Sequence, residues 1–233
     1  FLISFLYISP TVAEIVKKID ISGNNRVSDE TIKIYGDIKI NQNYSDQDLN
    51  KILNNLFSTN FFEDVQVELS NNILRVKLVE YPVINQLIIL GEPSNKYKEQ
   101  IKKIISSKEK DSYIKNNIAK DVDLIKQLYA SLGFNFAEVD TKVRNEDSLN
   151  LDVIFDINKG DPTRISKITF VGNKKVKDKR LRDIIASEEH KFWKFITRNT
   201  KFNQNLVNKD KRLLKNYYKA TEYYDVQIKS NSA

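Results

Sequence analysis

The chain has 233 residues, no cysteine, a single histidine and a net charge of +7. The lack of cysteine excludes disulfide staples, thiol nucleophiles and thiolate metal sites, and leaves the compartment open. The positive surplus suits nucleic acid or an anionic membrane surface, yet most lysines stand beside acids, as in Lys108-Glu109-Lys110-Asp111, and read as solvated surface. Only Lys174, Lys175, Lys177, Lys179, Arg180 and Arg182 cluster, with Asp178 among them.

Residues 1–13 open with an apolar run, Phe1 to Ile8, then Ser9-Pro10-Thr11-Val12-Ala13. An apolar core, a helix breaker and small residues at a cut point are expected of the end of a secretory signal peptide, cleaved after Ala13. The basic stretch that begins such a leader would lie upstream of this sequence. The other reading of the run is a buried N-terminal strand. It is too short to span a bilayer, and no other segment is a transmembrane candidate.

A short alternating strand, Ile19-Asp20-Ile21-Ser22, ends at Gly23, where a positive φ would turn the chain. Ser28 is placed to cap a first helix with Asp29 and Glu30 in its first turn. Ser45 caps a second, with Asp48 at the capping-box position and Leu49, Ile52, Leu53 and Leu56 as its buried stripe. Leu56 to Val67 then switches from helical spacing to alternation. Asn71-Asn72 predicts a hairpin turn, and Leu74, Val76 and Leu78 return.

The same order recurs twice. Leu87 to Gly91 and Ile168 to Gly172 repeat the strand and its glycine. Ile114, Ile118, Val122, Ile125 and Leu132 form the second unit's stripe; Leu206, Leu213, Leu214 and Tyr217 form the third's. Leu128 to Val139 and Tyr217 to Ile228 repeat the switch motif without a gap. Its second position is aromatic each time (Phe57, Tyr129, Tyr218), as is its seventh (Phe62, Phe134, Tyr223), and its twelfth is β-branched (Val67, Val139, Ile228). The second hairpin turns near Glu146-Asp147 and returns through Leu149 to Ile157. Three such copies predict an α+β chain of tandem modules, each strand, helix, helix, strand, strand, with a three-stranded sheet packed on two helices. The boundaries expected are 14–81, 82–160 and 161–233, with short Pro-containing joints at Glu80-Tyr81-Pro82 and Lys159-Gly160-Asp161-Pro162. The third module lacks its returning strand in this sequence.

The strand-end glycine, the aromatic helix-to-strand motif and the βααββ order together resemble POTRA domains, the polypeptide-transport-associated modules of bacterial outer-membrane assembly factors. The resemblance covers Ile15 to Ile228. Such modules usually carry a glycine where Asn60 or Phe61 and Glu222 stand, and only Gly133 keeps it. The resemblance implies a periplasmic, non-enzymatic binding role without a cofactor, further modules, and a membrane β-barrel beyond this chain. It also implies unfolded outer-membrane β-barrel proteins and accessory assembly lipoproteins as partners.

No phosphate loop, HExxH or nucleophile elbow is present. His190, in Glu188-Glu189-His190-Lys191, reads as a surface residue. Glu63-Asp64 and the pair Asp121 and Asp123 read as exposed positions. Phe192, Trp193, Phe195 and Ile196 read as core, or else as a partner-contact patch. In a three-stranded sheet with the returning strand in the middle, the first and second strands are both edges, and a free edge can add a strand from another chain. The second strands are therefore the candidate sites: Asp64, Val65, Gln66, Val67 and Glu68; Ala137, Glu138 and Val139, running on to Val143; and Asp225, Val226, Gln227, Ile228 and Lys229. The resemblance favours the third of these. Three readings follow: edge capture in an assembly factor, the same region of a related secretion or autotransporter-assembly protein, and a basic nucleic-acid-binding α/β protein with steeply salt-dependent affinity.

Overall fold

The computed structural model describes residues 14–145, 149–191 and 198–230. The leader expected at 1–13, the hairpin turn at Glu146-Asp147 and the Phe192, Trp193, Phe195 and Ile196 cluster lie outside the described residues. The chain divides into two compact units. The first takes in the chain up to Ile84, with Lys110–Ile114 and Asn145–Leu151; the second takes in Asn85–Glu109, Lys115–Arg144 and the chain from Asp152.

The first unit opens with β1 (Glu14–Ile15), which pairs antiparallel with β3 (Asn43–Tyr44). β2 (Lys18–Ser22), β4 (Phe62–Ser70) and β5 (Ile73–Glu80) form a sheet of order β2-β5-β4. β5 is the middle strand. It runs parallel to β2, with Ile19 opposite Leu74 and Ile21 opposite Val76, and antiparallel to β4, with Val65 opposite Leu78 and Val67 opposite Val76. The Asn71-Asn72 turn has positive φ at both residues, 52° and 63°, as a tight hairpin with right-handed strand twist requires.

Helix α1 (Asp29–Gly36) starts at Ser28, whose side chain accepts from the Thr31 N–H, and α2 (Asp46–Ser58) starts in the Ser45–Asp48 capping box. Ile52 and Leu56 of α2 bury against Leu74, Val76 and Leu78 of β5, joined by Ile32, Phe62 and Val65; Leu49 and Leu53 are partly buried beside them. Each fully buried aliphatic side chain contributes about 1.5–3 kcal/mol, so this one face of β5 holds the unit together.

The second sheet has the order β6-β8-β7, from β6 (Val83–Leu90), β7 (Glu138–Asn145) and β8 (Asn150–Asn158). α3 (Asn95–Ile104) and α4 (Lys115–Ser131) precede β7, and α5 (Asp178–Ile184), a 3-10 turn (Arg198–Thr200) and α6 (Gln204–Ala220) follow β8. Val153, Phe155 and Ile157 of β8 and Ile118, Ile125 and Tyr129 of α4 are buried. Among the described residues the two three-stranded sheets, the β1-β3 pair and six α-helices make an α+β fold, as the sequence pattern predicts.

The switch motif solves its turn in two ways. Gly133 and Glu222 carry a positive φ at the motif's sixth position, 88° and 71°, whereas in the first copy Asn60 carries it one residue earlier, at 58°. In the later copies the N–H of Phe134 and of Tyr223 reaches back to the carbonyl of Tyr129 and of Tyr218, both at 2.9 Å. Asparagine tolerates the left-handed region through local hydrogen bonding, so loss of the glycine is absorbed by moving the turn.

Two expectations are corrected. Ile168–Val171 and Asp225–Lys229 form no strand, and Asp225 stands in a bend. A strand exists by pairing, and no described residue of the third repeat runs between these segments as β5 runs between β2 and β4. Asp121 is not an exposed helix position: it is 0% exposed, because its carboxylate is consumed by backbone donors. Asp123 is exposed as expected.

Candidate strand-pairing edges

Each sheet has two outer strands, and the fold treats them differently. The outer side of β6 is occupied by the loop after α3. Val83 bridges to Ser112, the Ile84 N–H donates to the Asp111 carbonyl at 2.9 Å, and the Lys110 N–H donates to the Ile84 carbonyl at 2.7 Å. Further along, the Leu87 N–H donates to Glu109 Oε1 at 3.3 Å.

The third repeat builds the same cover. Arg164 bridges to Lys201, the Ile165 N–H donates to the Thr200 carbonyl at 2.8 Å, and the His190 N–H donates to the Ile165 carbonyl at 2.7 Å. Glu189, at the position of Glu109, accepts from the Ile168 N–H at 2.9 Å, while Arg182 donates to Glu189 at 2.5 Å and to the Ile168 carbonyl at 2.5 Å. The backbone bond from Ile168 and the bond from Arg182 hold the Glu189 carboxyl below its ordinary pKa. In the first repeat β1 and β3 play the corresponding part, with Val16 bonded to Gln42 and Asn41 just before β2 begins.

The second strands carry no such cover. Among the described residues β4 pairs only with β5, and β7 pairs only with β8. Asp64, Val65, Gln66, Val67 and Glu68 all lie in β4. Val65 is buried on the core face and Val67 half-buried, while Gln66 and Glu68 face outward opposite Lys77 and Arg75 of β5. A bulge at Phe62–Asp64 bends the start of this edge, a common device at exposed rims.

In the second sheet, Glu138 and Val139 open β7, but Ala137 lies one residue before it and is 9% exposed. It belongs to the tight turn, its N–H reaching the Phe134 carbonyl at 3.4 Å. From Asp140 to Asn145 β7 is exposed at every position. Lys142 is tied to Asp156 at 2.7 Å and Arg144 to the buried Asp152 at 2.5 Å, so its charges are pinned to β8. The Asp156 carboxylate holds the Lys142 ammonium above its ordinary pKa. Asp225, Val226, Gln227, Ile228 and Lys229 form no edge strand, for the reason given above. The structure thus brings together no cluster of site residues; it presents two separate open rims.

His190 is half-buried against Arg164, whose Nη1 stands 3.1 Å from its ring, and Asp64 accepts from the Gln66 amide at 2.9 Å. Among the described residues no group of three or more His, Asp or Glu could hold a metal ion, and no helix is long and apolar enough to cross a membrane.

Sequence reasoning missed two carboxylates that tie loop backbone to the helices, Asp121 buried and Asp210 half-buried. Asp121 takes the N–H groups of Ser106 and Ser107, and Asp210 takes those of Ala186 and Ser187. Both stand seven residues before the switch motif, after Ile104-Ile105-Ser106-Ser107 and Ile184-Ile185-Ala186-Ser187. Aligning the repeats on their motifs would have exposed the pair, with Leu49 at the same place in the first.

The family described as "POTRA: Surface antigen variable number repeat" matches residues 14–80, 82–160 and 163–233. The outer membrane protein assembly factor BamA of Neorickettsia risticii is 26% identical over 98% of this chain, and that of Neisseria meningitidis serogroup B is 26% identical over 91%. The chain spans 30% and 27% of the length of these two relatives. Among solved structures, the N-terminal domain of Omp85 from Thermosynechococcus elongatus is similar at 14% identity and a TM-score of 0.46, covering 94% of this chain and 90% of that one. The three matched segments take in nearly the whole sequence, and the chain belongs to the POTRA family.

Proposed function

We propose that this chain is the periplasmic POTRA region of an outer-membrane assembly factor of the BamA type, acting as a non-enzymatic array of binding modules. β4 and β7 take up unfolded outer-membrane β-barrel proteins by β-augmentation, and the module surfaces dock accessory lipoproteins. The observation that carries the reading is the asymmetry of the second sheet: the outer edge of β6 is covered by the loop after α3, while β7, like β4 of the first sheet, keeps an open backbone rim among the described residues. Main-chain pairing gives affinity with little demand on sequence, which suits clients that share only an alternating pattern. The names of the relatives supply the class of client.

The test is photo-crosslinking from Gln66, Glu68, Asp140 and Lys142, compared with Gln86 of β6, in the presence of an unfolded barrel protein. Crosslinks concentrated on β4 and β7, and lost when proline is placed at alternate positions of those strands, are expected. Equal crosslinking from the covered β6, or no effect of proline, overturns the reading.

A further inference from the structure

The outward face of α6 carries four cations and no acid. Residues three and four apart share one side of a helix, which places Lys209, Arg212, Lys215 and Lys219 within a single arc, with Asn205, Asn208 and Asn216 filling the gaps. Every residue of that arc is exposed. Asp210, the one acid in α6, turns inward to the N–H groups of Ala186 and Ser187.

The four cations are also unpaired. Lys142, Arg144, Lys159 and Arg182 of the same compact unit each reach a carboxylate, but among the described residues Lys209, Arg212, Lys215 and Lys219 form no ion pair. The sibling helices supply the comparison. Aligned on the switch motif, the same positions hold Asp48 and Lys51 in α2, and Lys120, Asp123 and Lys126 in α4, with no other charge. Only in the third repeat is the face free of acid. Arg180 of α5 stands over the Tyr217 ring at 5.6 Å, which brings the basic cluster between Lys174 and Arg182 beside α6.

We infer that this face is a docking surface for the anionic headgroups of a phospholipid bilayer. An interface with a folded protein has a centre depleted of charge and of lysine, whereas the centre here is Arg212, flanked by lysine and asparagine. Single-stranded nucleic acid is held by rings that stack on its bases; this face has none, and Tyr217 is half-buried under Arg180. A duplex admits one helix into its major groove, but α6 lies against α5 in one layer. A bilayer surface asks only for several cations on one side of the molecule, each strengthening attachment about fivefold. From Lys209 to Lys219 the face runs about 15 Å. α6 lies along the bilayer with these side chains among the headgroups and none in the hydrocarbon. The inference does not rest on the edge pairing proposed above.

The test is co-sedimentation of the full chain with vesicles of phosphatidylcholine containing phosphatidylglycerol, against vesicles of phosphatidylcholine alone. Binding to the first, weakened by added salt and absent with the second, is expected. The variant Lys209→Gln/Arg212→Gln/Lys215→Gln/Lys219→Gln should bind about a hundredfold more weakly or worse. Glutamine keeps nearly the helix propensity of lysine and arginine, and an unchanged urea midpoint checks the fold. A second variant removes equal charge elsewhere, with glutamine at the exposed Lys51, Lys96, Lys103 and Lys126, and should lose less than about tenfold, because scattered charges are screened from the surface. All three chains keep residues 1–13, so apolar contact by that segment is common to them. Equal losses in the two variants, which would mean bulk charge alone, overturn the inference. So does undiminished binding by the first variant, or no preference for the anionic vesicles. Tighter binding of the parent chain to duplex DNA or to polyglutamate also overturns it, and would assign the face to nucleic acid or to an acidic protein.

Discussion

The carboxylate of Asp121 accepts the backbone N–H of Ser106 at 2.6 Å and that of Ser107 at 3.0 Å, as well as the Ser106 hydroxyl at 2.9 Å. It thereby fastens the end of α3 to the side of α4. Asp210 repeats the arrangement with Ala186 and Ser187, including the Ser187 hydroxyl. Removing a buried acceptor strands its donors at about 1–3 kcal/mol, more where the acceptor is charged. Asp121→Ala should therefore cost about 3 kcal/mol, read as a lower urea midpoint at unchanged slope. Asp121→Leu, which copies Leu49 of the first repeat, should do no better, because the loop donors remain unpaired.

Glu92 is 3% exposed; it accepts from the Tyr129 hydroxyl at 2.6 Å and the Ser94 N–H at 2.8 Å, and Lys159 Nζ stands 3.8 Å away. Burial pushes its pKa up, but these partners outweigh burial and hold the carboxyl below its ordinary 4.5. Burial and Glu92 together push the Tyr129 phenol well above its ordinary value. A carboxylate with a depressed folded pKa adds stability above its unfolded value and loses it as pH falls through the folded one. Tyr129→Phe should thus cost about 1–3 kcal/mol at neutral pH. The gap from the parent chain should shrink as pH falls below about 4.5, in urea midpoints taken across pH. An NMR titration should show the Glu92 carboxyl moving upward in the variant.

The seventh position of the switch motif gives a graded series. Phe62 is buried in the first core, Phe134 is half-buried between Lys159 and Lys201 at 5.7 and 4.7 Å, and Tyr223 is largely exposed. Phe62→Ala should cost about 3–5 kcal/mol, Phe134→Ala less, and Tyr223→Ala under about 1 kcal/mol. Thermal or urea unfolding of the three variants checks the order, and equal losses would contradict the burial pattern.

Local signals carried most of the fold. Ser28, Ser45 with Asp48, and Asn71-Asn72 act within a few residues of themselves, so their chemistry is visible in sequence alone, and the threefold motif marks where helix α2, α4 or α6 ends. Long-range partners were not visible. Asp121 reads as one more polar helix position until α3's end is known to lie beside it. The alternation of Ile168 to Val171 predicts a strand, yet pairing requires a neighbour that the pattern does not specify. The candidate edges were legible as strands in β4 and β7, but not the reason for choosing them. That reason is the loop cover on β6, which depends on Glu109 meeting the Leu87 backbone 22 residues away, with Glu189 and Ile168 repeating the contact in the third repeat.

The repeated glycine is constrained alike in the first two repeats and differently in the third. Gly23 and Gly91 combine a left-handed φ with a carbonyl where a Cβ would stand, so alanine there must push β2 from β5 or β6 from β8. Those substitutions should cost well over the roughly 1–2 kcal/mol of the left-handed backbone alone, and in the first repeat should break pairing next to Glu80, whose carboxylate accepts from the N–H groups of Asn25, Arg26 and Val27. Gly172 has the same φ and open space, so Gly172→Ala in the present chain should cost only that backbone term. Urea midpoints would separate the cases, together with hydrogen exchange at Ser22 and Leu90.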